Sequence, residues 1–142
     1  MSIGTAANPA KVTLDTNIII SGLGFGGKPR EILDLILDDK IKAVTSPILL
    51  AELEDVITKK FQKLTYSIEP ISKQIKKKFK IVKPKTTLRV VKDEPDNRVL
   101  EAAIEGDCKY IVTGDKELLR LKSYRGVKIV TSDQFLKYLN KV

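Results

Sequence analysis

The fold is most clearly indicated by residues 96–115, whose sequence is DNRVLEAAIEGDCKYIVTGD. The first half has apolar residues at the spacing of one helix face, and this pattern predicts a helix over residues 96–104. These apolar residues are Val99, Leu100, Ala103 and Ile104. The second half contains a short apolar run at residues 110–113, which is typical of a buried strand. A helix followed by a buried strand is the repeating unit of an α/β domain.

The same alternation extends along the rest of the chain. Short apolar runs predict further strands at residues 12–14, 41–45, 88–91 and 127–131. Helical spacing predicts helices at residues 29–37, 72–85 and 116–121, one that starts at Ser46-Pro47, and a last one that Ser132 caps. Strands separated by helices need crossover connections, so we expect a three-layer α/β/α fold with a mostly parallel central sheet.

Two connecting regions lack the pattern of a regular element. Pro84 is expected to end the lysine-rich helix, since proline cannot donate the next backbone hydrogen bond. Residues 21–27 are rich in glycine, but they lack the lysine-serine ending of a nucleotide-binding loop, so we interpret them as a flexible loop.

The length of 142 residues fits a single domain over residues 1–142, with residues 1–10 as a loosely ordered segment. Cys108 is the only cysteine, which excludes a disulfide or a cysteine zinc site within the chain. No apolar run reaches the length of a membrane span, and the first residues do not resemble a signal peptide. We therefore expect a cytoplasmic protein without a membrane partner.

The charge and the missing histidine restrict the chemistry. Lys and Arg outnumber Asp and Glu by 26 to 18, for a formal net charge of +8. Such a charge favours polyanionic partners, although a basic surface kept only for solubility explains it equally well. The chain has no histidine, which excludes Ser/His, Cys/His and paired-histidine catalysis. An enzyme with this sequence must use carboxylates, lysines or metals.

Four acids are candidates for such a site. Asp15, Asp96 and Asp115 each follow soon after a predicted strand, where ligands bind in parallel sheets, and Glu52 can reach the same edge from its helix. Taken singly, Asp96 and Asp115 could be helix caps, and Glu52 an ordinary solvated glutamate. Asp15 directly follows an apolar strand, where an unpaired carboxylate is costly. The sequence alone does not say whether the strands are neighbours.

Four segments resemble the PIN-domain nucleases, in the order of that family. They are VTLDTNI at residues 12–18, SPILLAEL at residues 46–53, DEPDN at residues 93–97 and VTGD at residues 112–115. The resemblance runs from about residue 12 to residue 131 and is greatest to the branch of toxins of toxin-antitoxin pairs. It implies that the catalytic and metal-binding acids are Asp15, Glu52, Asp96 and Asp115. The positions that support them would be Thr16, Asn17, Asn97, Thr113 and Gly114.

Asp93 competes with Asp96 for one of these places. We prefer Asp96, because Asn97 follows it and the helix is expected to begin there. Residues 59–87 contain no segment that aligns with the family.

The resemblance also implies the reaction. Carboxylates suit one or two Mg²⁺ or Mn²⁺ ions, which can activate water to attack an RNA phosphodiester without a histidine base. The products would carry a 5′-phosphate and a 3′-hydroxyl. The implied partners are RNA, an antitoxin protein and a second copy of the chain in a homodimer. Two alternatives stay open, a nuclease for RNA processing or structured DNA, and a non-catalytic nucleic-acid-binding module.

Basic residues could offset the repulsion between four acids and a phosphate backbone. The candidates are Lys28, Arg30, Lys59, Lys60, Lys63 and Lys116. For the lysines between residues 73 and 85, a solvated helix face is the preferred interpretation. Few aromatic residues lie among them, so base stacking is not indicated.

Overall fold

The computed structural model describes residues 10–62 and 65–140, so the expected N-terminal segment lies almost wholly outside the described residues. Within these ranges the elements are β1 (Lys11–Leu14), α1 (Thr16–Gly24), α2 (Gly27–Leu37), β2 (Lys42–Thr45), α3 (Pro47–Lys60), α4 (Thr65–Lys78), β3 (Lys80–Ile81), α5 (Glu94–Glu105), β4 (Tyr110–Val112), α6 (Lys116–Leu121), β5 (Ser123–Tyr124), β6 (Val127–Val130) and α7 (Ser132–Asn140).

The strands form one sheet in the order β3-β2-β1-β4-β6-β5. All pairings are parallel except that of the short edge strand β5 with β6. Because β1 and β4 are the central neighbours, the segments that follow them meet at the same edge of the sheet. The predicted α/β class with a mostly parallel central sheet is confirmed.

Helices cover both faces of the sheet, and each face has its own hydrophobic core. Successive strand residues point to opposite faces, so Tyr110 and Val112 of β4 join one core while Ile111 joins the other. The first core contains buried residues of α1, α2, α3, α4 and α7, including Leu33 and Phe135. The second contains buried residues of α5 and α6. These two cores fix the sheet from both sides and hold its carboxyl edge in place.

The strand predicted at residues 88–91 is wrong. These residues belong to an irregular segment, residues 82–92, which we call the strap. Beyond Val82, whose backbone N–H still donates to Thr45 O of β2, several of its backbone N–H groups are satisfied by side chains and not by a neighbouring strand. Glu105 accepts from Lys85 N at 3.0 Å, Glu101 accepts from Leu88 N at 2.7 Å, and Glu117 accepts from Lys92 N at 3.0 Å. The strap therefore follows helix α5 and not the sheet.

Three helix boundaries also differ from the predictions. Residues 21–24 of the expected flexible loop are the last turn of α1. The lysine-rich helix α4 ends at Lys78, well before Pro84, because residues 80 and 81 pair with β2 as an edge strand. Thr131, not Ser132, caps α7, since its hydroxyl accepts from Gln134 N at 3.1 Å while the Gln134 side chain accepts from Thr131 N.

Among the residues that the structure describes, no helix combines the length and the apolar composition that a membrane span needs.

Candidate metal centre

The site lies at the carboxyl edge of the two central strands. Asp15 follows β1 directly, and its backbone N–H donates to Val112 O at the end of β4, at 3.0 Å. Asp115 comes three residues after that carbonyl and caps α6. The strand order thus answers the question that the sequence left open, because the strands that carry Asp15 and Asp115 are hydrogen-bonded neighbours.

Asp15 is held by hydrogen bonds to both carboxylate oxygens. One oxygen accepts from Asn17 N at 3.3 Å, and the other accepts from the Thr113 hydroxyl at 2.7 Å. The residue is only 7% exposed. Burial raises the pKa of Asp15, the Thr113 hydroxyl opposes that rise, and nearby Asp115 adds to it. Asp15 is therefore a fixed carboxylate whose negative charge the protein leaves only partly compensated.

Thr113 links the two central acids. Its hydroxyl donates to Asp15 and accepts from the backbone N–H of Asp115 at 2.9 Å. The side chain is fully buried, so this hydroxyl has no competing water and its orientation is set by its two partners. A change at Thr113 would move both acids.

Asp115 has a capping role and a site role together. One of its oxygens accepts from Glu117 N at 2.9 Å and from Leu118 N at 3.0 Å, which caps α6. A carboxylate oxygen of Asp115 also lies within 4.8 Å of carboxylate oxygens of Asp96 and Glu117. The alternative that Asp115 serves only as a cap therefore does not account for all its contacts.

Asp96 is not needed as a helix cap, because Asp93 has that role. Helix α5 begins at Glu94, and the Asp93 side chain accepts from Asp96 N at 3.3 Å, so Asp93 is the cap. The reason given for preferring Asp96, that the helix begins there, is wrong by two residues. The structure nevertheless places Asp96, not Asp93, in the group of acid oxygens at the sheet edge.

The Asp96 carboxyl is the least compensated polar group of the site. It is 6% exposed, and its Oδ2 is buried without a hydrogen-bond partner among the residues that the structure describes. Burial, followed by repulsion from Asp115 and Asp93, raises the pKa of Asp96 to about 7. A carboxyl with these properties is costly to keep ionised unless a cation lies beside it.

Glu52 approaches Asp15 from α3. It is half-buried, and the nearby Thr16 side chain favours the ionised form of its carboxyl group and so lowers its pKa. Burial raises the pKa of Glu52, and repulsion by Asp15 adds to the rise. The repulsion indicates that the two carboxylates share one electrostatic environment at the sheet edge.

Glu117 is an acid of the site that the sequence analysis missed. Carboxylate oxygens of Asp96, Asp115 and Glu117 all lie within 4.8 Å of one another. The sequence did contain a signal for Glu117. If Asp115 caps a helix, an acid two residues later lies in the first turn of that helix, beside the same strand end. Asp15 and Glu52 lie outside this close group of three oxygens.

The remaining predicted supporting residues occupy different places. Asn17 is exposed and lines the cleft beside Asp15, as does Gly114. Asn97 is fully buried and turns away from the acids: its amide accepts from the backbone N–H of residues 90 and 91 and donates to Val91 O at 2.8 Å. Asn97 thus fastens the strap to α5.

Of the predicted basic residues that the structure describes, Lys116 alone lines the cleft, together with Arg120, which the sequence analysis missed. The others contact groups elsewhere: Lys28 pairs with Asp133, Arg30 with Asp34 and Lys59 with Asp55, and Lys60 lies over the ring of Phe25. Lys60 is also eight residues beyond Glu52 in α3, about 12 Å further along the helix. Lys63 lies outside the described residues.

Two lysines of the lysine-rich helix α4 form ion pairs on the protein surface. Lys76 pairs with Glu54 at 2.7 Å, and Lys78 pairs with Asp39 at 2.9 Å. These exposed pairs favour the interpretation of a solvated helix face for that part of the 73–85 run.

The acids fit a hard divalent cation. All the donors are carboxylate oxygens, which Mg²⁺ and Mn²⁺ prefer. Asp96, Asp115 and Glu117 bring three oxygens close together, and the buried Asp96 Oδ2 lacks any other partner. A cation at this place would satisfy that oxygen and reverse the repulsion that raises the carboxyl pKa values.

Comparison with known proteins agrees with this geometry. A family model described as PIN domain matches residues 11–117. An uncharacterized protein of Methanocaldococcus jannaschii is 34% identical over an alignment 145 positions long, which covers 92% of this chain and 92% of that protein.

Proposed function

Since the chain belongs to the PIN-domain family, whose members are generally nucleases that bind divalent metals, we propose that it is an endoribonuclease. It hydrolyses phosphodiesters of single-stranded RNA with one or two Mg²⁺ or Mn²⁺ ions. The observation that carries the proposal is the buried, unpartnered Asp96 Oδ2 beside the carboxylates of Asp115 and Glu117. A binding module without catalysis has no need to maintain so unfavourable a group.

The acids divide the work of holding cations. Asp96, Asp115 and Glu117 would hold one ion, and Asp15 with Glu52 would complete the site from the side of α1 and α3. A bound ion would lower the pKa of a water molecule and offset the negative charge that develops at phosphorus. This chemistry suits a chain that has no histidine to serve as a general base.

The surrounding residues keep the carboxylates in place. The Thr113 hydroxyl joins the Asp15 carboxylate to the backbone N–H of Asp115, and the Thr16 side chain favours the ionised form of Glu52. Thr16, Glu52 and Thr113 lie in, or directly beside, helices and strands at the sheet edge, which favours a preorganised site. The site therefore needs little rearrangement when cations and substrate bind.

The nucleophile can be tested on RNA that is labelled at its 5′ end. The protein should cut this RNA with Mg²⁺ or Mn²⁺ and leave a 5′-phosphate and a 3′-hydroxyl. A matched RNA with a 2′-deoxynucleotide at each cut position should be cut as well, because water and not the 2′-hydroxyl attacks. A cyclic phosphate product, or loss of cutting at the deoxy positions, would contradict the proposal. Faster cutting of flapped DNA would favour the DNA-processing alternative instead.

The biological role rests on the sequence resemblance alone. We propose that the protein is the toxin of a toxin-antitoxin pair in the cytoplasm and that it forms a homodimer. Expression without a partner should then arrest growth, whereas the Asp15→Asn protein should not, and co-expression with the product of a neighbouring short reading frame should relieve the arrest. Light scattering of the purified protein tests the dimer, and a monomer at working concentration would contradict it.

A further inference from the structure

One wall of the cleft beside the acids carries two cations. The cleft is lined by Asp15 and Asn17, and by the start of α6 with Asp115, Lys116, Glu117 and Arg120, so that two cations stand among the acids. Lys116 and Arg120 are four residues apart, so they lie on the same face of the helix. Gly114 also lines the cleft, and a Cβ there would meet no atom within 4 Å.

The two cations of this wall have no acidic partner. Within residues 10–62 and 65–140, no carboxylate lies within 4.0 Å of Lys116 or Arg120. Other arginines differ: Arg30 pairs with Asp34 at 3.1 Å and Arg98 with Glu101 at 2.9 Å. Two like charges at this spacing repel each other slightly, so an anionic ligand would relieve a cost that the free protein bears.

Glu117 does not neutralise this wall although it is close in sequence. It precedes Arg120 by three residues, a spacing at which helical ion pairs form. Its carboxylate instead accepts from Lys92 N in the strap at 3.0 Å and lies near Asp96 and Asp115. Glu117 also lines the cleft, but its carboxylate is engaged with the strap and lies near the proposed metal centre, which leaves the two cations free to meet an anion there.

We propose that Lys116 and Arg120 bind phosphates of the RNA strand next to the phosphate that is cut, so that the strand runs along α6. This inference rests on the proposed function and specifies the path of its substrate. Lys116 and Arg120 are about 6 Å apart along the helix axis, which is similar to the separation of successive phosphates in an extended strand. A guanidinium and an ammonium group suit phosphate oxygens.

Binding can be measured separately from cutting. Fluorescence anisotropy of a labelled single-stranded RNA would be followed in EDTA and again in Ca²⁺, over about 50 to about 200 mM KCl. The test protein is the double variant Lys116→Ala/Arg120→Ala. The matched control is Lys42→Ala/Lys109→Ala, which loses the same charge from two exposed lysines at the amino ends of β2 and β4. Thermal melting would verify that both variants are folded.

The cleft variant should bind RNA about tenfold more weakly at low salt. Its slope of log K against log salt should be smaller by about 1.4, from about 0.7 for each of two lost phosphate contacts with a single strand. The control should keep an affinity and a slope close to those of the wild type. Equal losses in both variants, no loss in the cleft variant, or no binding by wild type in either condition would overturn the inference.

The design also separates this inference from the proposed function. RNA binding that depends on Lys116 and Arg120, in a protein that cuts no RNA, would support the inference and refute the nuclease. Cutting by a protein whose binding is unaffected in the cleft variant would do the reverse. A polyglutamate peptide provides the last comparison: if the cleft variant loses affinity for it but not for RNA, the wall binds an acidic protein and the inference fails.

Discussion

Replacing Asp96 by Asn should make the metal-free protein less sensitive to pH. Burial, and repulsion by Asp115 and Asp93, raise the pKa of Asp96 from 3.8 to about 7. At about 1.4 kcal/mol per pH unit, this rise corresponds to roughly 4 kcal/mol. Because the folded-state pKa is above the unfolded one, this stability is fully present below pH 3.8. It is lost as the pH rises through about 7.

About 3 kcal/mol of that stability should disappear between about pH 5 and about pH 8. The raised pKa values of Asp15 and Glu52 act in the same direction, so the informative quantity is the difference between wild type and Asp96→Asn. Urea unfolding in EDTA at both pH values measures it. The variant should lose roughly 3 kcal/mol less than the wild type.

A divalent cation should remove the loss of stability that the wild type shows as the pH rises. At about 100 times its dissociation constant, Mg²⁺ should stabilise the wild-type protein by about 3 kcal/mol, and it should stabilise Asp96→Asn much less. Asp93→Asn is the control: it replaces the acid that caps α5, Asn caps a helix as well as Asp does, and it should reduce the pH dependence only by the smaller share that repulsion by Asp93 contributes. Equal pH dependence in wild type and Asp96→Asn would refute the reasoning about burial. Equal stabilisation by Mg²⁺ would show that Asp96 does not hold the ion.

Three further substitutions separate structural from functional roles. Gly114→Ala should leave the thermal midpoint unchanged, because the added Cβ would meet no atom within 4 Å. The same variant should slow RNA cutting if the RNA strand fills the cleft. Unchanged cutting would place the strand elsewhere. Thr113→Val should destabilise the protein by about 1–3 kcal/mol in urea and weaken Mn²⁺ binding in calorimetry, because Asp15 and Asp115 lose their shared partner; Thr113→Ser should retain both properties. Asn97→Ala should cost about 2–3 kcal/mol, since its three hydrogen bonds to the strap disappear; hydrogen exchange should increase in the strap, and uniform protection would contradict this assignment.

The central part of the fold could be predicted from the sequence because its elements carry dense local signals. The strands β1, β4 and β6 are largely apolar and buried, and helix α6 was predicted with its observed bounds. The edge strands β3 and β5 have only two residues each, too few to show a period. Their existence depends on pairing with neighbours, which a single sequence does not reveal.

The strap shows why a local pattern can fail. Its apolar residues resemble a strand, and Leu88 is indeed buried. Its backbone N–H groups, however, bond to side chains of Glu101 and Asn97, which come later in the chain. This tertiary arrangement is favoured over pairing in the sheet, because it satisfies the same backbone N–H donors without another strand.

The candidate site was predictable where sequence position fixes the place of a side chain. Asp15 and Asp115 follow strands that are now seen to be neighbours, so topology brings them together. Glu117 and Arg120 were missed because their roles depend on which face of α6 points to the cleft. The ion pairs of Lys28 with Asp133 and of Lys59 with Asp55 were not predicted, since a single sequence does not show which exposed carboxylate a lysine meets.

The central claim is that the carboxylates at the sheet edge hold the ions that cut RNA. The most direct test is the single-turnover rate of cutting of an end-labelled single-stranded RNA as Mn²⁺ is titrated, for wild type, Asp15→Asn and the Asp93→Asn control. The wild type and the control should show the same saturable dependence on Mn²⁺, whereas EDTA or Asp15→Asn should reduce the rate by orders of magnitude. Cutting by Asp15→Asn at the wild-type rate and Mn²⁺ dependence, in preparations of matched purity, would contradict the claim.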